Sequence, residues 1–480
     1  MFYGRDMALL TDLYQLTMAN GYFQTGNHDR KAVFDLFYRN NPDEASFSVF
    51  AGLEDVLEYL QGFRYEEDDI DYLRSLGLFQ ESFLEYLSHY RFRGDVYAFR
   101  EGSIVYPEEP LITVVAPLID AQLVETALLS LVNHESLIAT KANRIVMAAQ
   151  GRTVSDFGAR RSHGFDAALF GAKASYIGGV HSTATVLGGK MFRVPVTGTM
   201  AHAFVMSYQK EYDAFLAYSK IYPGNVVLLI DTYDVLKSGL PNAIRLAKEY
   251  LHPNGLILKG VRIDSGDLSY LSKECRKALD ENGLQETKIV VSNSLDEYKI
   301  RSLISQGAKI DSFGVGENLI TARSCPVFGA VYKLVAIEQE GRMVNKVKIS
   351  NTIEKITNPC FKEVYRVYDR GKAIADLLAF KEEEVGATVP YSVIDPRKPW
   401  KRIAFENVEY RKMHRLVMKD GGIVEPSPSM EERRDYLRHQ IENELWDEEK
   451  RFEYPHRHYL DFTKSLYEEK KRLIQESANG

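Results

Sequence analysis

Cysteine is scarce in this sequence: three residues, Cys275, Cys325 and Cys360, among 480. Their number is odd and their spacing wide, so neither a disulfide framework nor a CxxC metal pattern is available. Reduced, buried thiols are the expectation. No apolar run approaches the ~20 residues that span a bilayer. The opening stretch MFYGRDMALLTD lacks the unbroken apolar segment of a signal peptide. An excess of one charge is missing too. The net charge of −7 is the small difference between 60 basic and 67 acidic residues spread along the chain. Without a basic face to displace phosphate counterions, a nucleic-acid partner is excluded. A local basic pocket for a small phosphorylated ligand is not. The Gly-x-Gly-x-x-Gly turn of a dinucleotide-binding sheet is absent, and no lysine stands out as a Schiff-base candidate. What remains is a cytoplasmic protein without membrane contact or cysteine-held metal.

A hydrophobic fraction of 45% beside 26% charged residues is that of an ordinary globular chain, which excludes disorder. At 480 residues the chain exceeds what one core serves, so two or three domains are expected. Residues 1–135 read as an α+β segment. Thr11 is positioned to cap a helix bearing Leu13, Leu16 and Met18, and Lys31–Tyr38 alternates as a strand does. Asp95–Phe99 and Leu111–Val115 are further strands, and two helices are expected over Ile119–Val132 and Glu135–Gln150. From 136 to 350 the texture changes. Val226–Ile230 ends at Asp231, Leu256–Ile263 at Asp264, Lys288–Val291 at Ser292-Asn293, and Ile310–Val315 at Gly316-Glu317. Helical patterns separate these runs, at Pro241–Leu251, at Leu268–Asn282 and from Leu295. Continuous apolar strands alternating with amphipathic helices predict parallel strands covered by helices. Thr153–Phe157 and Val194–Thr197 are further strand candidates. A barrel is favoured over an open dinucleotide-binding sheet. Residues 351–480 are mixed, and after Met430 they read as solvated helices packing one face on the body.

The polar residues gather just past the strand C-termini, where α/β folds keep their active sites. Arg262-Ile263-Asp264-Ser265-Gly266-Asp267 carries Arg262 and Asp264 on one face of a strand tip. Carboxylates there bind ribose hydroxyls or the Mg²⁺ shell of a diphosphate. Asp267 serves equally well as a helix cap. Ser292-Asn293-Ser294 and Gly314-Val315-Gly316-Glu317 lie between strand and helix, where backbone N–H groups attract phosphate. In Asp156-Phe157-Gly158-Ala159-Arg160-Arg161, Phe157 offers a stacking face for a flat heteroaromatic ring and Arg160 a fork for phosphate or carboxylate. His202, after the turn Thr197-Gly198-Thr199, has the chemistry of a base, a phosphate ligand or a nucleophile.

In this order the pieces resemble the nicotinate phosphoribosyltransferase family. LTDLYQLTMA at Leu10–Ala19, SDFGARR at Ser155–Arg161, GTMAH at Gly198–His202 and GVRIDSGDL at Gly260–Leu268 carry the resemblance. IVVSNSLDE at Ile289–Glu297, FGVGENLIT at Phe313–Thr321 and VYKLVAI at Val331–Ile337 extend it. It implies an irregular, TIM-like α/β barrel joined to an α+β domain formed from both chain ends. It also implies a homodimer in which Tyr14 of one subunit reaches the pyridine site of the other. The implied reaction joins nicotinate to phosphoribosyl diphosphate, giving nicotinate mononucleotide and diphosphate, coupled to ATP hydrolysis. This is the entry step of NAD salvage from the free acid, with Mg²⁺ required. By the same resemblance His202 is the histidine that ATP phosphorylates, and Phe157 and Tyr14 sandwich the pyridine ring. Thr199 and Arg262 lie near nicotinate, Arg262 as partner of its carboxylate. Arg160, Ser292, Asn293, Gly316 and Glu317 surround the ribose phosphate and diphosphate, while Asp231 and Asp264 orient the ribose and the metal shell.

Nicotinamide phosphoribosyltransferase shares this architecture but carries an acidic residue in a stretch resembling His181–Val186, where this chain has no Asp or Glu. Such an acid repels a carboxylate substrate, so its absence favours nicotinate. Quinolinate phosphoribosyltransferase is a much shorter chain. A sugar-phosphate barrel enzyme of aldolase or dehydrogenase type shares the strand-tip aspartates and phosphate turns but has no need of the Phe157 and His202 segments. A dimeric metabolite-binding regulator has no need of His202, Asp264 and Arg262 together.

Overall fold

Val154, Leu228, Val261, Val291 and Phe313 are fully buried, each on a short strand flanked by helices, as the continuous apolar runs predict. In the computed structural model, which describes residues 7–350, 356–386, 391–400 and 402–479, these strands form one six-stranded sheet. The order across it is Ser182–Thr183, Thr153–Asp156, Ser312–Val315, Lys288–Val291, Gly260–Ile263, Val227–Leu229, and every neighbouring pair is parallel. All six strands therefore deliver their C-terminal ends to one edge, which is where the polar tips lie. No ladder joins the two outer strands among the described residues, and the paired strands form a half-barrel. The outer strand Ser182–Thr183 has no apolar run to announce it. Val194–Thr197, expected as a strand, contributes one bridge, Val196 to Thr183.

The chain divides into Ile138–Pro326, which carries this sheet, and a second unit made of Met1–Leu137 with Val327–Gly480. The expected limit at 350 moves back to 327 for a physical reason. Val331–Gln339 pairs antiparallel with Lys31–Phe37, so its hydrogen bonds tie it to the N-terminal part. That pair sits in a seven-stranded antiparallel sheet, ordered Arg342–Asn345, Val331–Gln339, Lys31–Phe37, Ile112–Pro117, Asp95–Ala98, Arg415–Lys419, Gly422–Ile423. A further six-stranded sheet includes Lys362–Asp369, Lys372–Phe380 and Leu460–Thr463. Val33, Val115, Val335 and Ala336 form one core cluster of this unit, and Tyr365, Val367, Leu377 and Val393 belong to another.

Two local expectations are corrected and a third holds. Asp12, not Thr11, stands at the N-cap of the helix Leu13–Gln24, and its carboxylate accepts from the Thr126 hydroxyl at 2.9 Å instead of capping. The two helices expected over 119–150 are a short Leu118–Leu123 and a continuous Glu125–Ala148. The helix Met430–His439, capped by Ser429 and Glu432, is solvated on most of its surface and packs one face inward through Arg433 and Leu437, as expected. Its Arg433 is buried and ion-paired with Glu54 at 2.9 Å and Glu101 at 2.8 Å.

Candidate active site

The strand Gly260–Ile263 ends between two others, and its tip organises the site. Arg262 points along that edge with its guanidinium nitrogens spread over several partners. Nε donates to the Ser292 hydroxyl at 3.2 Å, and Nη1 to the Thr199 hydroxyl at 3.2 Å and the Met200 carbonyl at 3.4 Å. Nη2 lies 3.6 Å from Asp264. The planar fork of arginine suits this role, because each donor direction is fixed. The Ser292 hydroxyl, which accepts from Arg262, donates in turn to the Asp264 carboxylate.

Asp231, on the neighbouring tip, supports the same turn from the other side. Its Oδ2 accepts from the Asp264 backbone N–H at 2.9 Å and from the Ser265 hydroxyl at 2.6 Å. Its Oδ1 is buried and meets no hydrogen-bond partner, an unsatisfied acceptor aimed at the site. His202 begins the helix His202–Met206. Its Nε2 stands 3.9 Å from Asp231 Oδ1 and 4.0 Å from Asp264 Oδ2, and its Nδ1 is 3.2 Å from the Thr232 hydroxyl. The imidazole is half open to solvent and presents a nucleophilic ring nitrogen beside two carboxylates.

Phe157 closes the other end. Its backbone N–H donates to the Val315 carbonyl at 2.8 Å, and the Arg262 guanidinium lies 5.4 Å from its ring centroid, within cation–π range. Gly314 is required beneath it, since a Cβ there would collide with the phenyl ring. Asp156 fixes the Phe157 turn from below. It is fully buried and accepts from the Gly158 N–H at 2.7 Å and the Thr183 hydroxyl at 2.7 Å. Burial raises its pKa above the usual carboxylate value, against the lowering effect of those two donors.

The geometry thus joins His202, Asp231, Asp264, Arg262, Ser292, Thr199 and Phe157 in one chain of contacts. Gly316 lies beside it, where a Cβ would come within 3.2 Å of the Phe157 carbonyl. Asn293 is exposed with φ of 98°. Arg160 is exposed on the single turn Ala159–Arg161. Glu317 is ion-paired with Arg323 at 2.8 Å. Asp267 caps the helix Leu268–Glu281 through the Tyr270 N–H. Tyr14 belongs to the other unit, on the helix Leu13–Gln24, where it is half-exposed. Four contributors were not assigned roles from the sequence: Asp156, Thr183, Thr232 and Ser265. Asp156 had a signal, an acid at a strand tip like Asp231 and Asp264, whereas the threonines and the serine carry none.

Comparison with known proteins agrees along the whole chain. The nicotinate phosphoribosyltransferase N-terminal domain matches residues 9–133, the nicotinate phosphoribosyltransferase family model 153–372, and the corresponding C-terminal domain 361–470. The nicotinate phosphoribosyltransferase of Bacillus subtilis is 42% identical over 473 residues, covering 98% of this chain and 96% of that one. The chain belongs to the nicotinate phosphoribosyltransferase family. The Caenorhabditis elegans nicotinate phosphoribosyltransferase is 35% identical, over 96% of this chain and 92% of its own. The crystal structure of human nicotinic acid phosphoribosyltransferase superposes with a TM-score of 0.86 at 30% identity, covering 97% of this chain and all of that one. As a family member the chain is a phosphoribosyltransferase of NAD biosynthesis. No helix among the described residues is long and apolar enough to cross a membrane.

Proposed function

We propose that the protein condenses nicotinate with phosphoribosyl diphosphate to nicotinate mononucleotide and diphosphate, coupled to ATP hydrolysis through phosphorylation of His202. The observation that carries this reading is the placement of His202 within 4.0 Å of both strand-tip carboxylates, Asp231 and Asp264, beside the Arg262–Phe157 pair. In the reaction the pyridine nitrogen displaces diphosphate at the ribose anomeric carbon, and positive charge develops on the sugar. Catalysis of that step is alignment plus neutralisation of the departing anion.

Phe157 stacks on one face of the pyridine, and Tyr14 of the partner subunit on the other. Arg262 pairs with the nicotinate carboxylate, with the Thr199 hydroxyl beside it. Ser292, Asn293, Gly316, Glu317 and Arg160 surround the phosphate and diphosphate groups. Asp231 and Asp264 face the ribose and the departing diphosphate, where their negative charge favours the cationic sugar. These oxygen donors fit Mg²⁺, and the buried, unpartnered Oδ1 of Asp231 supports that assignment. Mg²⁺ bound to the diphosphate supplies charge neutralisation of the leaving group. The barrel of this family, of which the six parallel strands are the paired part, is the scaffold of the reading. A homodimer in the cytoplasm completes it.

Chromatographic product analysis tests the proposal, with nicotinate or nicotinamide, phosphoribosyl diphosphate and Mg²⁺, each with and without ATP. Nicotinate mononucleotide with matching ADP release is the expected result, and His202→Ala retains basal synthesis but loses the ATP effect. Full ATP dependence in that variant would remove the phosphohistidine role. Reaction of nicotinamide alone would overturn the assignment of Arg262 to the substrate carboxylate.

A further inference from the structure

The turn after the strand Lys288–Val291 has an unusual backbone. Asn293 and Ser294 are consecutive non-glycine residues with φ of 98° and 47°, a region that L side chains disfavour. Two residues in succession hold it only if the surroundings fix them. What fixes them is visible. The Asn318 amide nitrogen donates to the Ser294 carbonyl and to the Leu295 carbonyl, each at 3.0 Å. Lys299 Nζ donates to the same Ser294 carbonyl at 2.6 Å. Downstream, Asp296 caps the helix Glu297–Ser305 by accepting from the Lys299 N–H. Glu297 is drawn inward between the buried cations Lys141 and Arg144, which keeps its charge away from the turn.

Asn318 does not belong to that turn. It lies on the short helix Glu317–Ile320, directly after Gly316, at the neighbouring strand tip. Its carboxamide therefore ties one strand-tip turn to the next. Among the described residues, no acceptor meets the backbone N–H of Asn293 or Ser294, and both residues are exposed. Two successive N–H groups in this conformation form an anion-binding concavity.

We propose that Asn318 is a positioning residue for the phosphoribosyl diphosphate site, holding the Asn293–Ser294 backbone so that its N–H groups meet phosphate oxygens and coupling that turn to Gly316. The inference rests on the assignment of these two turns to phosphate groups. Asn318 itself touches no substrate; it acts through the Ser294 and Leu295 carbonyls.

The test compares wild type with N318D, which keeps the shape but cannot donate to two carbonyls, and N318Q, which keeps the donor. Steady-state kinetics are read for both substrates, with diphosphate affinity by calorimetry and melting temperature alongside. N318D raises KM for phosphoribosyl diphosphate and Kd for inorganic diphosphate about tenfold or more, the scale of two lost hydrogen bonds. Its KM for nicotinate and its melting temperature stay near wild type, and N318Q recovers part of the lost affinity. A second route keeps the inference open to refutation if N318D folds poorly. S294G, which adopts positive φ without a tether, restores diphosphate binding when combined with N318D. Unchanged diphosphate affinity in N318D, or equal losses for both substrates, overturns the positioning role. Failure of the phosphate assignment reads differently: wild type itself then binds no diphosphate.

Discussion

At the scale of single residues, the fork of Arg262 makes the sharpest claim. Its nitrogens serve Ser292, Thr199 and the Met200 carbonyl in separate directions, which a lysine, with one compact ammonium, does not reproduce. Arg262→Lys should raise KM for nicotinate about tenfold or more and leave any reaction with nicotinamide nearly unchanged. An unaltered ratio between the two substrates would mean that Arg262 does not read the carboxylate. Asp120, on the short helix Leu118–Leu123, gives a different residue-scale prediction. It is fully buried with Arg93 at 2.9 Å, yet burial outweighs that attraction and pushes its pKa up to about 6 from 3.8. In the window between those values the folded chain holds a proton that the unfolded chain has lost. Stability contributed by this group is therefore full below the lower value and falls as pH rises towards about 6, by up to roughly 3 kcal/mol. Asp120→Asn removes the titration. Its stability relative to wild type, measured by urea denaturation, should rise between pH 4.5 and pH 7, and a constant difference would contradict the argument. Legibility at this scale followed chemistry. His202, Arg262 and Asp264 stood out because few other residue types do their work, whereas Thr183 and Thr232 act through plain hydroxyls that any threonine carries.

At the scale of elements, apolar runs were reliable where a strand is buried on both faces. Lys288–Val291 appears with the expected limits, and Gly260–Ile263 and Ser312–Val315 as shorter pieces of the expected runs. The two-residue strand Ser182–Thr183 is too short for periodicity, and only its register with Thr153–Asp156 defines it. The break within 119–150 was misplaced because Glu125–Ala148 stays helical through Asn133, His134 and Glu135, where interior contacts override a polar interruption. The helix Glu297–Ser305 depends on a comparable interior contact. Glu297 is fully buried, 2.7 Å from Lys141 and 3.1 Å from Arg144. Glu297→Gln removes a carboxylate charge that both buried cations share, at a cost of about 3 kcal/mol. Urea denaturation should register that loss, and a change below about 1 kcal/mol would show that water or another group compensates.

At the scale of the whole molecule, the alternation of strands and helices within 136–350 could be read from the chain, but not the many strands after 351 or which distant segments pair. Val331–Gln339 resembles the strands before it, and only its ladder with Lys31–Phe37 assigns it to the unit built from both chain ends. Assembly lies further from reach, because one chain does not display its partner's surface. The helix Leu13–Gln24 nevertheless exposes large apolar side chains. Leu13 and Tyr14 are each 50% exposed, and Leu10, just before the helix, is 43% exposed. If Tyr14 of one subunit completes the pyridine clamp of the other, each active site contains residues of both chains. Tyr14→Ala and Phe157→Ala then each damage every site of their own homodimer. In a heterodimer of the two variants, two-fold symmetry puts both lesions in one site and neither in the other. Co-expression with two affinity tags isolates that heterodimer, which should recover about half of wild-type activity from its one intact site. If instead each site is built from one chain, both sites of the heterodimer carry a single lesion and activity stays at the level of the separate variants. Elution of the wild type as a monomer would reject the shared site directly.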